Sequence, residues 1–123
     1  MDDTVREALA NDRLIDITTT GRKTGEPRRI EIMFMYDGQD MYLTGRPGRR
    51  GWYANLLAQP SFTVHLKQSL QRDIPALAHP IRGEAERRAF FEGVASRWPA
   101  DQGEFEMDKW LARSPLVRVE LLS

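Results

Sequence analysis

The sequence contains no cysteine and only two histidines, His65 and His79. The first absence excludes a disulfide scaffold, an iron–sulfur cluster, thiolate zinc and a thiol nucleophile, and it fits a reducing compartment. The second leaves too few imidazoles for a histidine-rich metal centre, and His79, beside Pro80, has no partner at ligand spacing. Charge of one sign is also missing: 18 Lys and Arg face 18 Asp and Glu. Global steering toward nucleic acid or an anionic membrane is therefore not expected, and any anion site must arise from local arrangement. No apolar run approaches the roughly 18 residues of a membrane span. The opening Met1-Asp2-Asp3-Thr4-Val5-Arg6 does not resemble a signal peptide, so the expected location is the cytoplasm. Neither a Ser/His/Asp arrangement nor a catalytic carboxylate pair is visible, and the acidic run Asp101, Glu104, Glu106, Asp108 fits no calcium loop.

What is present is one domain's worth of chain, 123 residues with 41% apolar and 29% charged, so a single domain over 1–123 is expected. Val5, Ala8 and Leu9 share a helical face. Leu14–Thr20 reads as a strand, and Arg29–Tyr36 as a second with Ile30, Ile32, Phe34 and Tyr36 on one side. Its other side, Glu31, Met33 and Met35, is mostly apolar too, which predicts cover on both faces. Asp37-Gly38 signals a hairpin into Met41–Thr44. A short helix over Trp52–Ala58 stops at Pro60. Ser61–Lys67 alternates Phe62, Val64 and Leu66 inward with Thr63, His65 and Lys67 outward to solvent. Arg72–Ile81, broken by Pro75 and Pro80, predicts an edge or bulged strand. A helix over Glu84–Trp98, a weaker helix within Asp101–Ala112 and a final strand Leu116–Leu122 complete the chain. Six strands joined by tight turns, with two to four short helices, predict a mainly β antiparallel sheet curled into a small barrel.

Two basic segments stand out. Gly45-Arg46-Pro47-Gly48-Arg49-Arg50-Gly51 combines glycines, whose backbone N–H groups converge on anions, with bidentate arginine donors, and it leads into a helix N-terminus. Arg22-Lys23 and Arg28-Arg29 form the other, and both flank the expected hairpin at one end, where they are placed to meet one polyanion. Against this stands a plain solvated rim. Trp52 and Asn55 open the short helix, where a ring has a stacking partner and a polar edge a hydrogen-bonding one; burial in the core is the structural alternative for Trp52.

These motifs resemble a family. Thr18-Thr19-Thr20-Gly21-Arg22-Lys23-Thr24-Gly25-Glu26-Pro27-Arg28 is similar to the opening signature of the deazaflavin-dependent nitroreductases, and the Gly-rich loop with Trp52-Tyr53-Ala54-Asn55-Leu56-Leu57-Ala58-Gln59-Pro60 to their second. The resemblance implies a split β-barrel, the deazaflavin coenzyme F420, and hydride transfer to a quinone, nitro-aromatic or other small conjugated substrate. It places the coenzyme's phosphate at Lys23 and Arg28 and at Gly45, Arg46, Pro47 and Gly48, and its ring at Ile32 and Met33 with Trp52 and Asn55 on the border. Arg49 joins this set on charge alone. FMN, used by relatives on this fold, is the alternative cofactor, with a non-catalytic carrier of an apolar ligand as a further reading. A nucleic-acid partner and a membrane span are not expected, and a homodimer is the candidate assembly.

Overall fold

Along β1 (Leu14–Thr20) every second residue is buried: Ile15, Ile17 and Thr19. Side chains alternate across a strand, so this pattern marks one face toward a core and one toward solvent. The computed structural model describes residues 1–122, and these strands build one antiparallel sheet. Its members are β1, β2 (Pro27–Met33), β3 (Met35–Tyr36), β4 (Met41–Thr44), β5 (Ser61–Leu66), β6 (Arg72–Pro80) and β7 (Leu116–Leu121). Their spatial order is β2-β1-β5-β6-β7-β4-β3.

The two ends of that order are consecutive in the chain. Only Phe34 separates β2, which pairs with β1, from β3, which pairs with β4. The sheet therefore curls into a barrel left split at this bend. Phe34 drops its ring into the core, and its N–H donates to the Arg13 carbonyl at 3.1 Å. The expected single strand Arg29–Tyr36 is thus two, and the count is seven rather than six. The core fills with Ile15, Ile17, Leu43, Val64, Val117 and their neighbours. To these α1 (Asp3–Asn11) adds Val5, Ala8 and Leu9; the Asp2 side chain caps this helix by accepting from Val5 N–H at 2.9 Å.

A second, smaller cluster lies on the outer face of β4 and β7. Leu116 and Ile81 meet Phe91 of α3 (Glu84–Ser96) and Trp110 of α4 (Met107–Arg113), with Trp98, Phe105 and Phe90 around them. No helix of the described residues is long and apolar enough to cross a membrane.

Several expectations are corrected. β6 is interior, between β5 and β7, despite its prolines. The Pro75 carbonyl accepts from Leu122 N–H at 2.8 Å, so its ring nitrogen faces the same side, where β7 has run out and no ladder acceptor is wasted. The expected Asp37-Gly38 hairpin does form, with positive φ at Gly38 and the Asp37 carboxylate accepting from Gln39 and Asp40 N–H at 2.8 and 2.6 Å. His65 is buried rather than solvated, with Nε2 2.7 Å from Thr18 Oγ1 and Nδ1 2.7 Å from an Asp73 carboxylate oxygen. Nor is β2 covered on both faces: Met33 stays 63% exposed and Ile30 37%.

Candidate functional site

The segment between β1 and β2 folds as a tight turn because two glycines allow it. Gly21 N–H donates to the Glu26 carbonyl and Gly25 N–H to the Gly21 carbonyl, each at 2.8 Å. A Cβ on Gly21 would stand 3.0 Å from Thr24 Oγ1 and 3.1 Å from the Glu26 carbonyl oxygen, and Gly25 has φ +75°. Both positions therefore favour glycine. The turn exposes Arg22, Lys23 and Thr24, and the chain returns as β2 with Arg28 opposite Thr19.

That register decides which arginine serves the site. Residues paired across an antiparallel ladder lie on one face. Arg28, Ile30 and Ile32 pair with Thr19, Ile17 and Ile15 and share the inner face. Arg29 and Glu31 point outward. There Arg29 and Lys67 bind Asp16 at 3.1 and 2.7 Å, and Lys67 also bonds Glu31. The Lys67 hydrogen bond, then the one from Arg29, holds the Asp16 carboxyl below its usual range.

α2 (Gly51–Ala58) forms the opposite wall. Asn55, 5% exposed, spends its whole amide on the turn. Its Oδ1 accepts from Arg22 N–H at 3.1 Å and from the Arg22 guanidinium at 3.0 Å, while Nδ2 donates to Thr19 Oγ1 at 3.1 Å. Asn55 is thus a clamp between helix and turn. Trp52 belongs to the core, 9% exposed, yet borders the same space.

Between these walls lies a pocket of about 300 Å³. Arg22, Lys23 and Arg28 line it with Thr19, Thr24, Gly21, Gly51 and Asn55, and Ile30 and Trp52 supply apolar surface. No carboxylate lines it, and among the described residues none of the three cations makes an ion pair. Three unneutralised cations beside the first residues of a helix suit an anionic head group, and the apolar patch next to them suits a flat ring.

Of the residues singled out in the sequence, the pocket brings together Lys23, Arg28, Trp52 and Asn55. Ile32 follows Ile30 on the inner face, outside the pocket lining. Met33 points outward. Gly45, Arg46, Pro47, Gly48 and Arg49 are outside the lining of this pocket, and two of them contact the helical layer. Gly48 N–H donates to the Arg113 carbonyl at 3.1 Å, and Arg46 lies 4.8 Å over Trp98 and donates to Gln102 at 2.5 Å. The pocket takes its cations from the first basic cluster and none from the second. Thr19, Gly21, Arg22, Thr24, Ile30 and Gly51 are the pocket residues that sequence reasoning left out of the site. Alternation from Arg28 is the signal that would have found Ile30.

A larger cavity, about 740 Å³, opens near the split. Tyr36, Tyr42 and Phe90 line it with Asp12, Asp37 and Glu86 against Arg13 and Arg97. Burial raises the Tyr42 phenol above its ordinary pKa, helped by Asp37 and Asp40. Its carboxylates make it a poor seat for an anionic head group.

The fold recurs among solved structures. The fold matches a protein described as a pyridoxamine 5′-phosphate oxidase of Listeria innocua (TM-score 0.73, 15% identity, covering 98% of this chain and 93% of that one). It also matches an F420 reductase (0.68, 17%, 100% and 97%) and an F420-H2-dependent reductase (0.61, 24%, 88% and 94%). All are split-barrel relatives in shape. The family model for F420H(2)-dependent quinone reductases matches residues 3–120. With nearly the whole chain inside that match, the protein belongs to the F420H(2)-dependent quinone reductase family, a reductase whose cofactor is the deazaflavin coenzyme F420.

Proposed function

We propose that the pocket between the Gly21–Arg28 turn and α2 holds the phosphate end of coenzyme F420, and that the enzyme reduces a quinone, a nitro-aromatic or another small conjugated acceptor. The observation that carries this reading is the set of three cations, Arg22, Lys23 and Arg28, facing one pocket without a carboxylate. The residues present fit the group: charge for its phosphate, and Ile30 and Trp52 as an apolar border for its ring. When bound, the reduced deazaflavin supplies the hydride.

The chain's own contribution is position and exclusion of water. Lys23 and Arg28, both exposed at the mouth, provide charge-assisted donors. Arg22 is oriented by Asn55 rather than free to swing. Ile30 inside the pocket and Ile32 beyond it leave the inner face of β2 partly uncovered, an apolar strip beside Trp52 along which a ring and a conjugated acceptor can lie. No side chain in the pocket is an evident acid, since its only titratable groups are the guanidiniums and Lys23.

The test is a binding titration of F420 against FMN, followed by quenching of Trp52 fluorescence, then turnover with a benzoquinone and with a nitro-aromatic. Tighter binding of F420, with reduction of at least one acceptor, is expected. Equal or tighter binding of FMN, or a titration indifferent to Lys23→Ala and Arg28→Ala, refutes the reading.

A further inference from the structure

Arg87 is a buried cation with no carboxylate partner among the described residues. Only 8% of the residue is exposed, and its guanidinium donates to four carbonyls: Ser114 at 2.7 Å, Ile81 at 2.9 Å, Leu111 at 3.0 Å and Trp110 at 3.3 Å. Those bonds close the end of α4 and tie α3 to it, and the partial negative charge of that helix end offsets the guanidinium only in part. Buried charges are ordinarily paired, because leaving water is costly.

A pocket of about 330 Å³ opens beside this guanidinium, between α2, the start of α3 and the end of α4. Arg82 and Arg113 line it as well. Both are exposed, and neither side chain has an ion pair or hydrogen bond among the described residues. The one carboxylate of the lining, Glu84, is already engaged by Arg88 at 3.1 Å. Ser114 lines the pocket too, 3% exposed, and its hydroxyl is a buried donor with no acceptor. A buried hydroxyl without a partner and three arginines without a carboxylate partner among the described residues therefore meet at one pocket.

We propose that this pocket is a second oxyanion site, taking a phosphate or carboxylate group on Arg82, Arg113 and the partly offset charge of Arg87. It shares no residue with the pocket of Lys23 and Arg28: Trp52 and Asn55 face that one, and Tyr53 faces this one across α2. The Gly-rich loop borders it, since Gly48 N–H is bonded to the Arg113 carbonyl. The oxyanion is either a free one or an anionic group carried by the coenzyme or substrate.

Inorganic phosphate at constant ionic strength, titrated into the ¹⁵N-labelled full-length chain, tests this. Saturable amide shifts are expected at Leu111, Ala112 and Ser114. They should persist in a Lys23→Gln/Arg28→Gln double variant, which disables only the coenzyme pocket. Arg82→Gln and Arg113→Gln, both at exposed positions, should each weaken the response about tenfold or more. If saturating coenzyme abolishes the response, the anion is the coenzyme's own; if the response survives, it is a separate oxyanion. Shifts confined to Gly21–Arg28, or an affinity indifferent to both arginine variants, overturn the proposal.

Discussion

Replacing Asn55 with alanine separates a clamp from a direct ligand contact. The side chain is 5% exposed and makes three hydrogen bonds, two accepted from Arg22 and one donated to Thr19, itself 2% exposed. Asn55→Ala removes all three and leaves the Arg22 N–H and the buried Thr19 hydroxyl short of partners. At about 1 kcal/mol per bond plus a penalty for stranded groups, the loss is about 2–4 kcal/mol. For a domain of this size that lowers Tm by roughly 8–16 °C. Coenzyme affinity should fall as well, because the turn carrying Lys23 loses its anchor. Asn55→Asp is the sharper companion. Its carboxylate still accepts from Arg22 but cannot donate to Thr19, and it places negative charge at an anion site, so binding should fall more than stability. Thermal melts and coenzyme titrations on the same samples read both quantities. If Asn55→Ala keeps the wild-type Tm while affinity drops, Asn55 touches the coenzyme and the clamp reasoning fails.

Three other outcomes are expected. Lys23→Ala and Arg28→Ala should each cost roughly ten- to a hundredfold in F420 affinity, by titration, with Tm near wild type, since both side chains are exposed and make no ion pair among the described residues; a collapsed Tm would make them structural. Asp16 has its pKa lowered in the folded state, so its contribution is present above the ordinary carboxylate range and disappears as pH falls through the lowered value; Asp16→Asn should flatten the acid limb of a stability–pH profile, and an unchanged limb would contradict the network with Lys67 and Arg29. Met33→Lys should leave stability within about 0.5 kcal/mol, because the thioether is 63% exposed; a larger loss, or a halved mass in sedimentation, would show that a second copy covers this edge.

The local order of this protein was legible in the sequence because it depends on neighbours. Two glycines around Arg22-Lys23-Thr24 demand a turn, alternation at Ser61–Lys67 demands a half-buried strand, and Trp52–Ala58 before Pro60 forms the helix expected of it. Lys23, Arg28, Trp52 and Asn55 come together at the sequence level through the resemblance of two short motifs to one family, not through local periodicity. Tertiary structure decided the rest. Pro75 and Pro80 read as marks of an edge, yet β6 is interior because one partner ends where Pro75 lacks its N–H. Loop composition says nothing about direction, and Arg46 turns to Trp98 and Gln102 and Gly48 to the Arg113 carbonyl because the helical layer offers them partners there. Nor does sequence show that Arg29 faces away from the pocket that Arg28 faces, which follows from the register of β1 with β2. Turns and periodicity are properties of adjacent residues; pairing, burial and the meeting of distant charges belong to the closed sheet, and the bend at Phe34 that splits it is set by a side chain seeking a core that the rest of the chain builds.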